Sequence, residues 1–390
     1  MPTPLPPIRL TGAVALRDGN LSARTVALAG GRIASGPFPE VDLGGYLILP
    51  GIVDLHHTGA LRQIGPESAV DCGMAQVDQE AAAHGVTTRC ISVPWSWERP
   101  AAAPAAARDT IRRWDANRSR ALTDLHLQLC ADPNMVDSAD DLIALVRDHG
   151  VSQVLFRDLA SAVRDLRTQD PEGFIRWCRA QGGAPETLSA ALDTMLAAEG
   201  RMPRHLCRLA EQFDEIGVLY GSVGDRSAEG REHLSMIGAR LSVDPETAQV
   251  AGAARAVGDP VLLSAAGLLR PAVCGRKLDT IDLLRRGTCD ALISGAHSAS
   301  PLQAAFRLVD LGLMPLAQAW RHVSEIPARI LRMPDRGEIA LGRRADLTIV
   351  HAHTRAVEAT ISGGRLAFLS GEAAHRFIGL RDDLHSLAAE

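Results

Sequence analysis

Lysine and paired cysteines are scarce in this chain of 390 residues. Lys277 is the only lysine, although lysine and arginine together number 41. The seven cysteines are an odd number and form no C-x-x-C motif. This spacing argues against a disulfide framework and favours free, mostly buried thiols in a reducing compartment.

Long apolar runs, a basic stripe and a signal sequence are also missing. No run approaches the roughly 18 apolar residues of a membrane span, and "MPTPLPPIRLTGAVAL" has no charged region followed by a long apolar core. The net charge is −5 and the pI is about 6.2, which gives no support for nucleic-acid binding. We therefore expect a cytoplasmic protein that binds neither nucleic acid nor membranes. The sequence does not fix the oligomeric state, and a homo-oligomer stays open.

The order of apolar segments indicates an α/β protein. Short strands separated by glycines fill residues 1–49 and predict the first part of a small β-domain. From Pro50 onwards strands alternate with helical stretches, and eight strand candidates can be counted, the number found in a (β/α)8 TIM-like barrel. We assign residues 50–337 to this barrel and residues 338–370 to the second part of a discontinuous β-sandwich, followed by a tail over 371–390.

An insertion is predicted after the fourth strand of the barrel, over about residues 160–203. Two helical segments, around "PEGFIRWCRAQGG" and "PETLSAALDTMLAAEG", fall within it. Because loops after barrel strands lie over the catalytic face, we expect the insertion to form a lid or a wall of the substrate site.

The first barrel strand carries the strongest chemical motif. "LILPGIVDLHHTGA" runs from Leu47 to Ala60 and ends in the adjacent histidines His56 and His57. Alternate residues of a strand face the same side, so a metal site built here normally needs His-x-His or His-x-Asp. Thr58 stands where the second ligand would be, and His57 faces the other way if the strand is regular.

Several segments together resemble the amidohydrolase superfamily: "GGRIASG", "LILPGIVDLHH", "GVTTRCIS", "RILRMPDRGEIALGRRADLTIVH" and "ATISGGRLAF". Within it, "LHLQLCADPN", the insertion and "SASPLQAAFRLVDLGLMPLAQAW" look like the diphosphatases of phosphonate metabolism. The resemblance implies a metal-dependent hydrolase that releases diphosphate from a phosphorylated ribose or nucleotide-like substrate. It also implies histidine, carboxylate or modified-lysine ligands at the strand ends, with metal-bound water as the nucleophile.

Most of the implied ligand positions are altered here. Strand three has Ala131 after Cys130, and strand five has only Asp225. Strand six offers Asp244 and no histidine, while His233 lies upstream in the preceding helix. A carboxylated lysine is excluded, since Lys277 is the only lysine and lies elsewhere.

A rearranged site can still be drawn from what remains. A single zinc or manganese ion could be held by His56, His57 or His297 with Asp158, Asp225 or Asp244, although a protein without any metal is the alternative. Asp225 or His297 could serve as a general base.

Arginine supplies the predicted phosphate contacts. Arg157 follows strand four, and Arg270 matches an arginine in the anion-binding loop after strand seven, close to Arg276 and Lys277. A phosphorylated small molecule is therefore the expected partner.

Three functions stay open at this point. The first is the diphosphate-releasing hydrolase just described, with altered metal ligation. The second is a catalytically silent homologue that binds a phosphorylated ligand or a partner protein. The third is a hydrolase of a C–N bond with a rearranged single-metal site.

Overall fold

The computed structural model of this chain describes residues 4–59, 70–269 and 279–387. The strands are β1 (Ile8–Thr11), β2 (Val14–Arg17), β3 (Asn20–Ala23), β4 (Val26–Ala29), β5 (Arg32–Ala34), β6 (Glu40–Asp42), β7 (Tyr46–Pro50), β8 (Ile52–His57), β9 (Val86–Trp95), β10 (Asp124–Ala131), β11 (Gln153–Phe156), β12 (Leu219–Val223), β13 (Ser242–Val243), β14 (Val261–Ser264), β15 (Ala291–Ile293), β16 (Leu347–His351), β17 (Val357–Ser362) and β18 (Arg365–Leu369). The α-helices are α1 (Val70–Ala83), α2 (Pro104–Asn117), α3 (Ala139–His149), α4 (Leu159–Gln169), α5 (Pro171–Ala180), α6 (Pro185–Ala197), α7 (Met202–Ile216), α8 (Ala228–Met236), α9 (Ala248–Ala256), α10 (Ala266–Leu269), α11 (Thr280–Arg285), α12 (Ser300–Asp310), α13 (Leu316–Arg321), α14 (Glu325–Ile330) and α15 (Gly371–Leu387).

The eight strands β8 to β15 form a parallel sheet in which each strand pairs with the next along the chain, and they are barrel strands one to eight in this order. The sheet closes on itself between its first and last strands. Thr58 N donates to Gly295 O at 2.7 Å, and Gly295 N donates to His56 O at 3.1 Å. The predicted (β/α)8 barrel is therefore confirmed.

The barrel strands are apolar on both faces because helices cover the outside and side chains fill the inside. Ile91 and Val93 of β9 belong to the same buried cluster as Ile111 of α2, on the outer side. Leu55 and Leu155 belong to a separate cluster that fills the interior. Outward and inward residues alternate along each regular strand. Among the described residues, no helix is both long and apolar enough to span a bilayer.

Four α-helices lie between β11 and β12. The first three, α4 to α6, form the insertion, where the sequence predicts two helices, and α7 is the barrel helix that precedes β12. The helix that was not predicted, α4, begins where Asp158 accepts a hydrogen bond from Ser161 N at 3.0 Å, and it ends before Pro171. Trp177 of α5 lies 6.1 Å from Trp97, measured between ring centroids. Because Trp97 follows β9, the insertion lies beside the edge at which the barrel strands end.

The two ends of the described chain fold together as a β-sandwich, as predicted. β7 pairs antiparallel with β16, so that Ile48 lies opposite Ile349 in the six-stranded sheet. Ile8 and Val26 of the four-stranded sheet share a buried cluster with both residues. The tail forms α15, which contributes Phe377 to the same cluster.

Candidate active site at the mouth of the barrel

The candidate site lies where β8 ends, and an irregularity in this strand shapes it. The register of β8 against β9 shifts between Asp54 and His57, and such a bulge frees a backbone group from the ladder. The carbonyl of Leu55 accepts hydrogen bonds from Gln128 Nε2 at 3.1 Å and from Gln153 Nε2 at 2.5 Å. Strands three and four thus hold the end of strand one from inside the barrel.

His56 is buried at this point, with 5% of its surface exposed. Its Nδ1 lies 2.5 Å from Gln128 Oε1. Since the amide nitrogen of Gln128 already donates to Leu55, its oxygen is the acceptor and His56 Nδ1 carries the proton. Burial lowers the pKa of His56 more than Gln128 and nearby Asp244 raise it, so the ring is neutral. Nε2 is then the ring atom with a free lone pair.

His57 faces the helices, away from His56. Its Nδ1 lies 2.8 Å from Ser294 Oγ, which donates to Asp54 Oδ2 at 2.6 Å. Arg89 also donates to Asp54, at 3.1 Å, and shares the outward face of β9 with Ile91. Burial, with Arg89 nearby, lowers the pKa of His57 to about 2. His57 is therefore a neutral member of a buried network that joins strands one, two and eight.

Two charged residues lie at the rim around His56. Arg157 directly follows β11, and its side chain is exposed. Its positive charge acts to lower the pKa of His56 and that of Cys130. Burial has the larger effect on the Cys130 thiol and raises its pKa to about 11. Asp244 follows β13 with a left-handed φ of 44°, and its Oδ1 accepts a hydrogen bond from Ser264 N at 2.6 Å. The barrel mouth therefore places a cation and an anion near one neutral imidazole.

Asp225 differs from the sequence-based expectation of a general base in the barrel mouth. Its Oδ2 accepts hydrogen bonds from Ser222 Oγ at 2.7 Å and Ser242 Oγ at 3.1 Å, and lies 3.4 Å from Arg231 NH1. Arg231 is fully buried and also contacts Asp259 at 3.2 Å. The Asp225 carboxylate belongs to this ion network, and its catalytic role stays a prediction.

Asp158, predicted as a metal ligand, instead caps the N-terminus of α4 through Ser161. Asp158 Oδ1, which accepts the hydrogen bond from Ser161 N, also accepts one from Asn134 Nδ2 at 3.2 Å. Asp158 and Asp225 both line a cavity of about 530 Å³ beside the barrel, between α7 and α8, which we call the lateral cavity. Apolar side chains form much of the remaining wall, including Phe156, Met202, Leu206, Leu234 and Ile237.

The last two predicted residues lie near strands seven and eight. His297 is exposed in the turn after β15, where its backbone N–H donates to Ser294 O at 3.1 Å. A positive charge on His297 acts to lower the pKa of His57. Arg270, like Arg276 and Lys277, lies outside the described residues.

The predicted metal ligands do not form one cluster. Within residues 4–59, 70–269 and 279–387, no group of three histidine, cysteine or carboxylate side chains is placed to hold an ion. His56 and His57 point to opposite sides of β8, Asp158 caps a helix, and Asp244 is hydrogen-bonded to the backbone. A zinc site normally needs three or four protein ligands, so these side chains do not fit one.

Two polar residues of the mouth were missed in the sequence. Gln128 could have been found by alternation, because it stands two residues before Cys130 on β10 and faces the same side. Glu98 follows β9, is 6% exposed, and its Oε2 has no hydrogen-bond partner within the described part of the chain. No signal in the sequence distinguishes Glu98 from an ordinary surface carboxylate.

One curated protein and several solved structures resemble this chain, whereas no family model matches it. "Alpha-D-ribose 1-methylphosphonate 5-triphosphate diphosphatase" of Escherichia coli (strain K12) is 35% identical over 117 residues, which is 30% of this chain and 31% of that protein. The match therefore spans about a third of that relative's length.

The structural likeness extends over nearly the whole chain. N-acetylglucosamine-6-phosphate deacetylase from Pasteurella multocida has a TM-score of 0.61 at 12% identity, covering 92% of this chain and 99% of that one. D-hydantoinase has a TM-score of 0.61 at 14% identity, covering 95% and 97%. A beta-aspartyl dipeptidase from Fervidobacterium islandicum AW-1 has a TM-score of 0.59 at 13% identity, covering 94% and 97%. At these identities the likeness shows a shared fold.

Proposed function

We propose that this chain, which has the amidohydrolase fold, is a hydrolase that releases diphosphate from a small phosphorylated substrate at the barrel mouth. The observation that carries the proposal is His56, a buried neutral imidazole fixed by Gln128 with its Nε2 lone pair free. Arg157 supplies a cation at the same rim. The 35% identity over 117 residues with the diphosphatase of Escherichia coli supports the choice of a phosphoanhydride bond.

The chemistry needs a base for water and a cation for the phosphate groups. His56 Nε2 accepts a proton from water while the water oxygen attacks phosphorus, and the phosphoanhydride bond breaks to release diphosphate. Arg157 binds phosphate oxygens through its planar fork of donors. Asp244 stabilises the imidazolium that forms. Because the described side chains do not fit a metal ion, no step is assigned to zinc or manganese.

A silent, phosphate-binding homologue is the second candidate. It is favoured by the failure of the predicted ligands to assemble in the described ranges, together with the commitment of Asp225 to Arg231. Asp225 is also one of the two bases that a C–N hydrolase was expected to use, and its carboxylate is held in an ion pair with Arg231.

The test is diphosphate release by the purified protein from ATP, measured with and without added zinc or manganese, alongside an amide substrate panel. We expect release of inorganic diphosphate. If no diphosphate appears under any metal condition, while ribose 5-phosphate raises the melting temperature, the hydrolase proposal is wrong and the silent homologue is supported. Turnover of amides alone would support C–N hydrolysis instead.

A further inference from the structure

Glu98 is a buried carboxylate that the proposed hydrolysis does not use. Its Oε2 has no hydrogen-bond partner within the described residues, and Oε1 only approaches Arg99 Nε, at 3.9 Å. A buried anion without close donors is costly to keep. Such a group in a native fold calls for a ligand or a function.

The segment that carries Glu98 is fixed against the mouth of the barrel. The neighbouring Trp97 donates its indole N–H to Asp132 Oδ2 at 2.9 Å, and Asp132 N donates to Trp95 O at 3.0 Å. Asp132 also accepts from the N–H of Ala160, at the start of the insertion. Glu98 is therefore held between strand three and the insertion by bonds that leave its own carboxylate unused.

Glu98 and Arg157 follow β9 and β11, the two strands that flank β10. Cys130 of β10 lies opposite Pro94 of β9 on one side and Leu155 of β11 on the other. Arg157 stands two residues beyond Leu155 on the same face, so it rises above Cys130 from strand four. Glu98 and Arg157 both act on the pKa of the Cys130 thiol, in opposite directions. The mouth thus has a carboxylate after β9 and a guanidinium after β11, on the two sides of β10.

We propose that Glu98 binds a cationic group of the ligand, so that the substrates of this site are zwitterions with an ammonium group as well as a phosphate. This inference rests on the proposed function, because it places the phosphate at Arg157. A buried carboxylate makes a charge-assisted hydrogen bond with the ammonium group of a ligand. A ligand without an ammonium group leaves Glu98 Oε2 without a donor and therefore binds more weakly.

The test compares two probes that differ only in the ammonium group, 2-aminoethyl phosphate and ethyl phosphate. Their dissociation constants are measured by calorimetry at pH 7 with the full chain. We expect wild type to bind 2-aminoethyl phosphate about tenfold or more tightly than ethyl phosphate. Glu98→Gln should bind both equally, whereas the surface control Glu211→Gln should keep the preference.

Stability and a second variant separate the outcomes. Glu98→Gln removes a buried charge that is only weakly compensated, by Arg99 at 3.9 Å, so its melting temperature should stay equal or rise; a fall would indicate a structural role and overturn the inference. Equal affinity of wild type for the two probes, with Arg157→Gln weakening both, would also overturn it and leave the phosphate site standing. Unchanged binding of both probes by Arg157→Gln would instead overturn the phosphate site of the proposed function.

Discussion

Replacing His56 with alanine is expected to slow diphosphate release by about 10²- to 10⁴-fold, the usual contribution of a general base. The substitution removes the ring that Gln128 orients and whose pKa responds to the charges of both Arg157 and Asp244. Initial rates of diphosphate release at saturating substrate measure the effect. A variant that retains more than a tenth of the wild-type rate would contradict the role of His56.

Two further variants guard this result against misfolding. His56→Gln keeps much of the side-chain volume and should be as inactive as the alanine variant, with a melting temperature close to wild type. His353→Ala changes an exposed histidine in the turn after β16 and should stay within twofold of the wild-type rate. Equal losses of rate in all three variants would mean that the loss is not specific to His56 and would contradict its role as the base.

Replacing Arg231 with methionine is expected to lower the free energy of unfolding by about 3–5 kcal/mol, because two buried carboxylates lose their cation. Arg231 is fully buried, lies 3.4 Å from Asp225 and 3.2 Å from Asp259, and donates to Leu241 O at 2.9 Å. The contact with Asp259 is ionic, without the alignment of a hydrogen bond. Urea denaturation followed by circular dichroism gives the free energy.

The matched control is an exposed arginine–aspartate pair. Arg255 lies 2.9 Å from Asp290 with 53% of its side chain exposed, so Arg255→Met should cost about 0–1 kcal/mol. Adding Asp259→Asn to Arg231→Met should restore part of the lost stability by removing one unpaired charge. A loss below about 1 kcal/mol for Arg231→Met would show that the network is not a structural centre.

The barrel and the resemblance to amidohydrolases could be predicted from the sequence because they depend on patterns along the chain. Eight apolar strands separated by helices define the fold, and the frame around His56 defines where the first strand ends. Adjacent strand residues are expected to face opposite sides, as His56 and His57 do, but the register shift that joins His57 to Asp54 through Ser294 could not be predicted. The structure confirms the barrel and the fold-level resemblance.

The site was less predictable because the sequence does not show which groups are already paired. Asp225 follows a barrel strand, as a catalytic residue would, but Arg231, six residues later, turns back from α8 to bind it. The sequence suggests a ligand at Asp158, but aspartate is also a preferred N-cap residue, and Asp158 caps α4 by accepting a hydrogen bond from Ser161 N. Glu98 became visible only when its burial without a partner was known.

The insertion shows the same limit at the level of helices. A break at Asp170 separates α4 from α5, because Asp170 caps the second helix through Gly173 N at 2.8 Å and Pro171 begins it. The sequence interpretation began its helices at this proline and therefore missed α4.

The most direct measurement of the central claim is calorimetric titration with inorganic diphosphate, because it asks whether phosphate binds at the barrel mouth. We expect Arg157→Gln to weaken binding about tenfold or more. Arg226→Gln should stay within twofold of wild type, since Arg226 lines the lateral cavity and pairs with Asp165 at 2.8 Å. The reverse pattern, with Arg226→Gln weakening binding and Arg157→Gln leaving it unchanged, would contradict the claim and move the phosphate site to the lateral cavity.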